Sequence, residues 1–114
     1  MILVTNRLQV AAGFEDELER RFRERAGQIE KEPGFVRMVV LPPVTRRKNR
    51  KTGAWEETDK TQVFQIQTWW DDEASFWGWT KSESFRAAHA HKPNPDMYSG
   101  PASMEIHRVA IDTD

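Results

Sequence analysis

A chain of 114 residues has room for one domain with a single core. Its 17 basic and 18 acidic residues give a formal net charge of −1, which argues against a dedicated nucleic-acid binder. With no cysteine, disulfides, thiolate zinc sites, iron–sulfur clusters and thiol catalysis are excluded.

The opening residues Met1-Ile2-Leu3-Val4-Thr5-Asn6-Arg7 lack the long apolar core and cleavage site of a signal peptide. No apolar run approaches the ~20 residues of a membrane helix. A soluble, cytoplasmic protein is expected. Aromatics are over-supplied. Five tryptophans and six phenylalanines predict a flat apolar pocket, an oligomer interface, or both.

Residues 2–10 alternate, with Ile2, Val4, Leu8 and Val10 on one face and Leu3, Thr5, Arg7 and Gln9 on the other. This is the period of a half-buried strand. Asn6 interrupts its apolar face. After Gly13, the spacing of Phe14, Leu18, Phe22, Ala26 and Ile29 predicts a helix over 14–31. Pro33-Gly34 stops it. Phe35–Leu41 reads as a second strand, closed by Pro42-Pro43.

Residues 44–60 read as a long polar loop or a hairpin extension. They carry Arg46-Arg47-Lys48-Asn49-Arg50-Lys51, five basic residues in six. Thr61–Trp70 reads as the third strand. Asp71-Asp72 can cap a helix over about 72–80, and Ser82 a second one over about 83–91. Pro93 and Pro95 lead into a loop, and Ala102–Ile111 reads as the last strand.

The order is βαββαβ, with the second helical element broken in two. It predicts an α+β, ferredoxin-like sandwich with helices on one face of an antiparallel sheet. The other face is expected to be apolar and uncovered, and a dimer would bury it.

Three residues invite chemistry. His89 closes a helical turn beside the small residues Ala87 and Ala88. Its imidazole can ligate heme iron, or can simply favour the helix C-terminal dipole. His91 competes with it, but lies about 200° around a helix, so both cannot face one pocket. His107, in the last strand, reads as structural. Asn6 must satisfy its amide on an inward face. A backbone hydrogen bond and a ligand contact are both open.

Trp79 stands among Phe76 and Trp77, and two of the three are expected to be packing. The break at Lys81-Ser82 allows Trp79 and His89 to line one cavity. The basic run 46–51 reads as a solvated tip, or as a steering surface for an acidic partner.

These residues fall into a pattern. Asn6-Arg7-Leu8 resembles the first-strand motif of the IsdG-type heme-degrading monooxygenases, within the wider antibiotic-biosynthesis-monooxygenase family. Trp79-Thr80-Lys81-Ser82, followed by Phe85-Arg86-Ala87-Ala88-His89, resembles their second motif, with the same ten-residue spacing. Glu32-Pro33-Gly34-Phe35 matches the helix-to-strand turn, and Trp70 a tryptophan that ends the third strand.

The resemblance implies a homodimer with a β-barrel between subunits, and heme as both substrate and cofactor. O₂ and an external electron donor complete that expectation. Asn6, Trp79 and His89 would be catalytic, with His89 the proximal iron ligand. Phe22, Arg25 and Phe85 would lie beside the heme. The 44–60 insertion departs from the pattern, being longer and more basic. Two rival readings remain: a cofactor-free oxygenase of a phenolic or quinol substrate, and a non-catalytic heme carrier.

Overall fold

The computed structural model describes residues 1–25, 27–58, 63–89 and 94–113, the side chain of Arg25 excepted. The elements are β1 (Ile2–Gln9), α1 (Glu15–Arg25), β2 (Phe35–Leu41), β3 (Arg46–Lys48), β4 (Trp55–Glu57), β5 (Val63–Trp70), α2 (Glu73–Thr80), α3 (Glu83–Ala88) and β6 (Ser103–Arg108). Single 3₁₀ turns lie at Ile29–Lys31 and Pro95–Met97. The main sheet has the order β2-β5-β1-β6, antiparallel throughout. This is the expected α+β ferredoxin-like fold, with one added hairpin. Among the described residues no helix is long and apolar enough to cross a membrane.

Side-chain alternation holds in the central strands. In β5, Phe64, Ile66, Thr68 and Trp70 are buried, while Val63, Gln65, Gln67 and Trp69 are half-exposed. Register sets Val4 opposite Thr68 and Asn6 opposite Ile66; on its other side, Asn6 meets Met104 of β6. Asn6 therefore sits in mid-sheet on the face that meets the helices.

The long first helix is shorter than its periodicity suggests. Helix α1 ends at Arg25, and Gly27 takes a left-handed backbone, φ 103°, that side chains disfavour. The Glu30 carboxylate accepts from the Gly27 N–H at 3.1 Å. Ile29 is still buried, because the following 3₁₀ turn returns it to the core. Gly34 is required by packing. A Cβ there would meet the Ser75 side chain, and the Gly34 carbonyl accepts from the Asp71 N–H at 2.8 Å. This pins the start of β2 to the end of β5.

The second helical element breaks as expected. Asp72 caps α2, accepting from the Ser75 N–H at 2.7 Å. Ser82 caps α3, accepting from the Phe85 N–H at 3.0 Å, while its hydroxyl donates to the Trp79 carbonyl at 2.8 Å. One serine thus ends one helix and starts the next at a new angle. Helix α3 stops at Ala88 and leaves His89 as its cap, short of the expected residue 91.

The basic run is no unstructured loop. Strands β3 and β4 pair as a two-stranded sheet of their own. Asn49 turns the chain by accepting from the N–H groups of Lys51 and Thr52. Although Arg46 and Arg47 face Glu57 and Glu56 in register, no ion pair joins them among the described residues.

The uncovered sheet face differs from expectation. It is mixed rather than apolar, with Thr5, Arg7, Gln65, Gln67 and Glu105 set among Leu3, Val39 and Trp69. The Arg37 guanidinium lies over the Trp69 ring, 5.5 Å from its centroid. Part of the aromatic excess goes inside. Phe64, Trp70, Phe76 and Trp79 are buried, and Phe35 packs against the cluster that holds Trp70, Phe76 and Trp79.

The apolar interior forms two clusters. One gathers Val4, Ile29, Trp70, Phe76 and Trp79; the other gathers Val10, Leu18, Phe64, Ile66 and Met97. Met38 touches both. Helix α1 covers one end of the sheet, and α2 with α3 covers the other. The space between them lies over Asn6.

Candidate active site

That space is a cavity of about 530 Å³, in the range of small-molecule sites. Its sheet side is formed by Val4, Asn6, Leu8, Met38, Ile66 and Thr68. Trp79, Phe76, Phe85 and His89 line it from α2 and α3, and Phe22 from α1. None of the described lining residues is an aspartate, glutamate, lysine or arginine. The cavity suits a flat, mostly apolar ligand with a few fixed polar contacts.

The residues singled out in the sequence converge here. Asn6, Phe22, Trp79, Phe85 and His89 all line the one cavity. Among the described residues the Asn6 side-chain amide makes no hydrogen bond to the protein, and it borders the cavity. Trp79 is only 7% exposed and holds the cavity wall. Arg25's side chain and His91 lie outside what is described. His107 is on the open sheet face, 3.3 Å from the Glu105 carboxylate, away from the cavity.

An aromatic series links the two motif ends. Trp79 meets Phe85 edge-on, with centroids 5.3 Å apart at 82°. Phe85 stacks on the His89 imidazole at 4.0 Å and 25°. The His89 Nδ1 lies 2.8 Å from the Phe85 carbonyl oxygen. A carbonyl only accepts, so Nδ1 carries the proton in this bond. Nε2 is then the nitrogen with a free lone pair. Hydrogen bonding at one ring nitrogen fixes the tautomer and orientation of the other, as metal-ligating histidines require.

Among the described residues no three His, Asp or Glu side chains gather as a metal cage. The cavity offers a metal one imidazole. That donor set fits a metal already held by a chelating ring.

Trp77 parts company with its neighbours. It is 44% exposed, and its indole N–H donates to Glu73 at 3.0 Å. Phe76 instead faces the cavity. Three polar lining residues were not singled out from the sequence: Gln28, Thr68 and Tyr98. Thr68 could have been found, since it shares the inward face of β5 with Phe64 and Ile66. Tyr98 lies beyond the 3₁₀ turn, in a segment with no periodicity to follow.

A family model described as antibiotic biosynthesis monooxygenase matches residues 1–91. The chain belongs to that family. A heme oxygenase (staphylobilin-producing) of Staphylococcus haemolyticus is 31% identical over 114 residues, spanning 97% of this chain and 95% of that protein. A heme-degrading monooxygenase of Bacillus thuringiensis is 36% identical over 92 residues, covering 81% of this chain and 74% of its own length. Among solved structures, a mutant of MhuD with two manganese protoporphyrin IX bound per active site superposes with a TM-score of 0.76. It is 28% identical and matches 100% of this chain and 99% of that one.

Proposed function

We propose that this family member is a heme-degrading monooxygenase, opening heme to a linear tetrapyrrole and releasing its iron. The observation that carries the reading is the His89–Phe85 pair at the edge of a cavity whose described lining is mostly apolar. The Nδ1–H···O bond presents Nε2 as a single, oriented metal ligand. His89 would hold the iron of a bound heme through that nitrogen.

Heme would be substrate and cofactor together, supplying the iron at which O₂ is activated with electrons from an external donor. His89 anchors and orients it. Trp79, held from behind by Phe76 and Trp70 and from the side by Phe85, is a rigid wall against its face. Close-packed surroundings resist deformation, so the ring rather than the wall yields. Asn6 offers an amide donor from the sheet, with no protein hydrogen-bond partner among the described residues. Phe22 and Phe85 exclude water. Arg25 is proposed as a further heme contact. The chain works as a homodimer in this reading, with a β-barrel closed by the mixed open faces of two sheets, and in the cytoplasm.

Hemin titration of the unmodified protein, His89→Ala and His91→Ala tests the site. The expected result is an iron–imidazole Soret band in the unmodified protein and His91→Ala, lost in His89→Ala. A band that survives His89→Ala and vanishes in His91→Ala overturns the assignment.

A further inference from the structure

Thr68 interrupts the buried face of β5 as Asn6 interrupts that of β1. It is 8% exposed and borders the cavity. Directly across the ladder it meets Val4, and diagonally it neighbours Asn6, a spacing of roughly 7–8 Å. These two side chains are the polar interruptions of a sheet surface otherwise made by Val4, Leu8, Met38 and Ile66.

A threonine hydroxyl has one proton and two lone pairs. The Trp70 indole Nε1 lies 2.9 Å from the Thr68 Oγ1. An indole N–H can only donate, so Thr68 is the acceptor in this bond, and its own proton is directed elsewhere. The donor is firmly held. Trp70 is fully buried, with the edges of Phe35 and Phe76 against it at 5.5 Å and 5.8 Å. Among the described residues no protein group accepts the Thr68 proton. Buried hydroxyl protons in folded proteins nearly always find an acceptor. Thr68 borders the cavity, so a bound ligand can provide one.

We propose that Thr68 is a second ligand-binding donor of this site. Its hydroxyl, which accepts from Trp70 and keeps its own proton to give, donates beside the Asn6 amide to an accepting oxygen or nitrogen atom held over the sheet. With heme bound, the paired donors would select a small acceptor ligand of its iron, and the proposal thus rests on the heme reading. Trp70 is a positioning residue in this scheme, acting through Thr68.

Azide is a suitable probe, because it accepts hydrogen bonds and shifts the Soret band without turnover. Hemin-loaded unmodified protein, Thr68→Val, Thr68→Ser and Thr68→Cys are titrated with azide, after hemin affinity is measured for each. Thr68→Val should weaken azide binding about three- to tenfold, the worth of one hydrogen bond. Hemin affinity should stay within about twofold, since its main protein bond is to His89. Thr68→Ser should match the unmodified protein. Thr68→Cys should fall between, because a thiol donates weakly.

Equal azide affinity in Thr68→Val and unmodified protein overturns the proposal. Should Thr68→Val fail to fold, because Trp70 loses its acceptor, Thr68→Cys decides on the same criterion. A protein that ligates hemin but is indifferent to Thr68 defeats this inference alone. One that never ligates hemin defeats it together with the proposed function.

Discussion

Replacing Trp79 by alanine strikes the core and the cavity wall together, and the two effects can be separated. Trp79 is 7% exposed and packs with Val4, Ile29, Trp70 and Phe76. Truncating a buried tryptophan costs about 3–5 kcal/mol. One side of this ring borders a cavity rather than packed atoms, which places the cost near the lower end, about 3 kcal/mol. Unfolding entropy of roughly 2.1 cal/mol/K per residue gives about 0.24 kcal/mol/K for 114 residues, so the midpoint should fall by about 12 °C. Trp79→Phe keeps the edge contact with Phe85 in part and should lose less.

Thermal unfolding without ligand measures the packing term. Single-turnover bleaching of the Soret band, at matched heme occupancy and well below the midpoint, measures the chemical one. Trp79→Ala should bind heme and fail to degrade it, and Trp79→Phe should keep part of the activity. Trp77→Phe is the control, since Trp77 is exposed and away from the cavity. A Trp79→Ala protein that turns heme over at the unmodified rate would refute the wall as a distorting device. A midpoint within about 3 °C of the original would refute the packing argument, which requires a shift several times larger.

Other perturbations give different signatures. Asn6→Ala should fold with a nearly unchanged midpoint, because its amide has no partner to lose among the described residues, yet degrade heme slowly; a large drop in midpoint with normal turnover would reverse that assignment. Changing Arg46, Arg47 and Lys48 together to glutamine should leave hemin affinity intact and slow turnover with a protein electron donor at low salt, while turnover with ascorbate is unchanged. A tenfold or so loss of hemin affinity would place the hairpin at the heme instead, since about 1.4 kcal/mol of contact would have gone.

The Asp72 carboxyl is held below its ordinary range by the Ser75 N–H, then by the Ser75 hydroxyl. Its capping contribution is therefore present above about pH 4 and lost as pH falls through its lowered value. Asn caps without titrating, so Asp72→Asn should match the unmodified midpoint at pH 7 and decline less on acidification. Parallel acid limbs in the two proteins would show that the cap is not what titrates.

The central strands were legible because their period of two is imposed by burial on one face. The alternation of β1 and β5 names the inward residues, including Asn6 as the odd one. The break between α2 and α3 was legible for a local reason too, since Ser82 has the chemistry of a cap. Helix α1 misled because Ile29 continues its apolar spacing. The residue reaches the core through a 3₁₀ turn, which periodicity alone cannot distinguish from another turn of helix. Trp77 and Trp79 could not be told apart in a segment where nearly every residue is apolar. The choice was made by Glu73, one turn earlier, which draws the Trp77 indole outward.

The hairpin hid within a polar run because three-residue strands give too little alternation to read. The aromatic excess and the Lys81-Ser82 break pointed to a pocket but not to its place or size. It exists because two helical groups cover the two ends of one sheet, and that gap is a property of the packed whole. What the sequence did carry was the company Asn6, Trp79 and His89 keep, and that company proved to be spatial.

The account turns on whether heme is consumed rather than merely held. Hemin-loaded protein given ascorbate in air, with an iron(II) chelator present, should lose its Soret band. Chelated iron should appear in step with it, and mass spectrometry should find an oxygenated open-chain tetrapyrrole. A Soret band that forms on His89 and persists under reductant and air, with no iron released, would contradict it and mark the protein as a carrier.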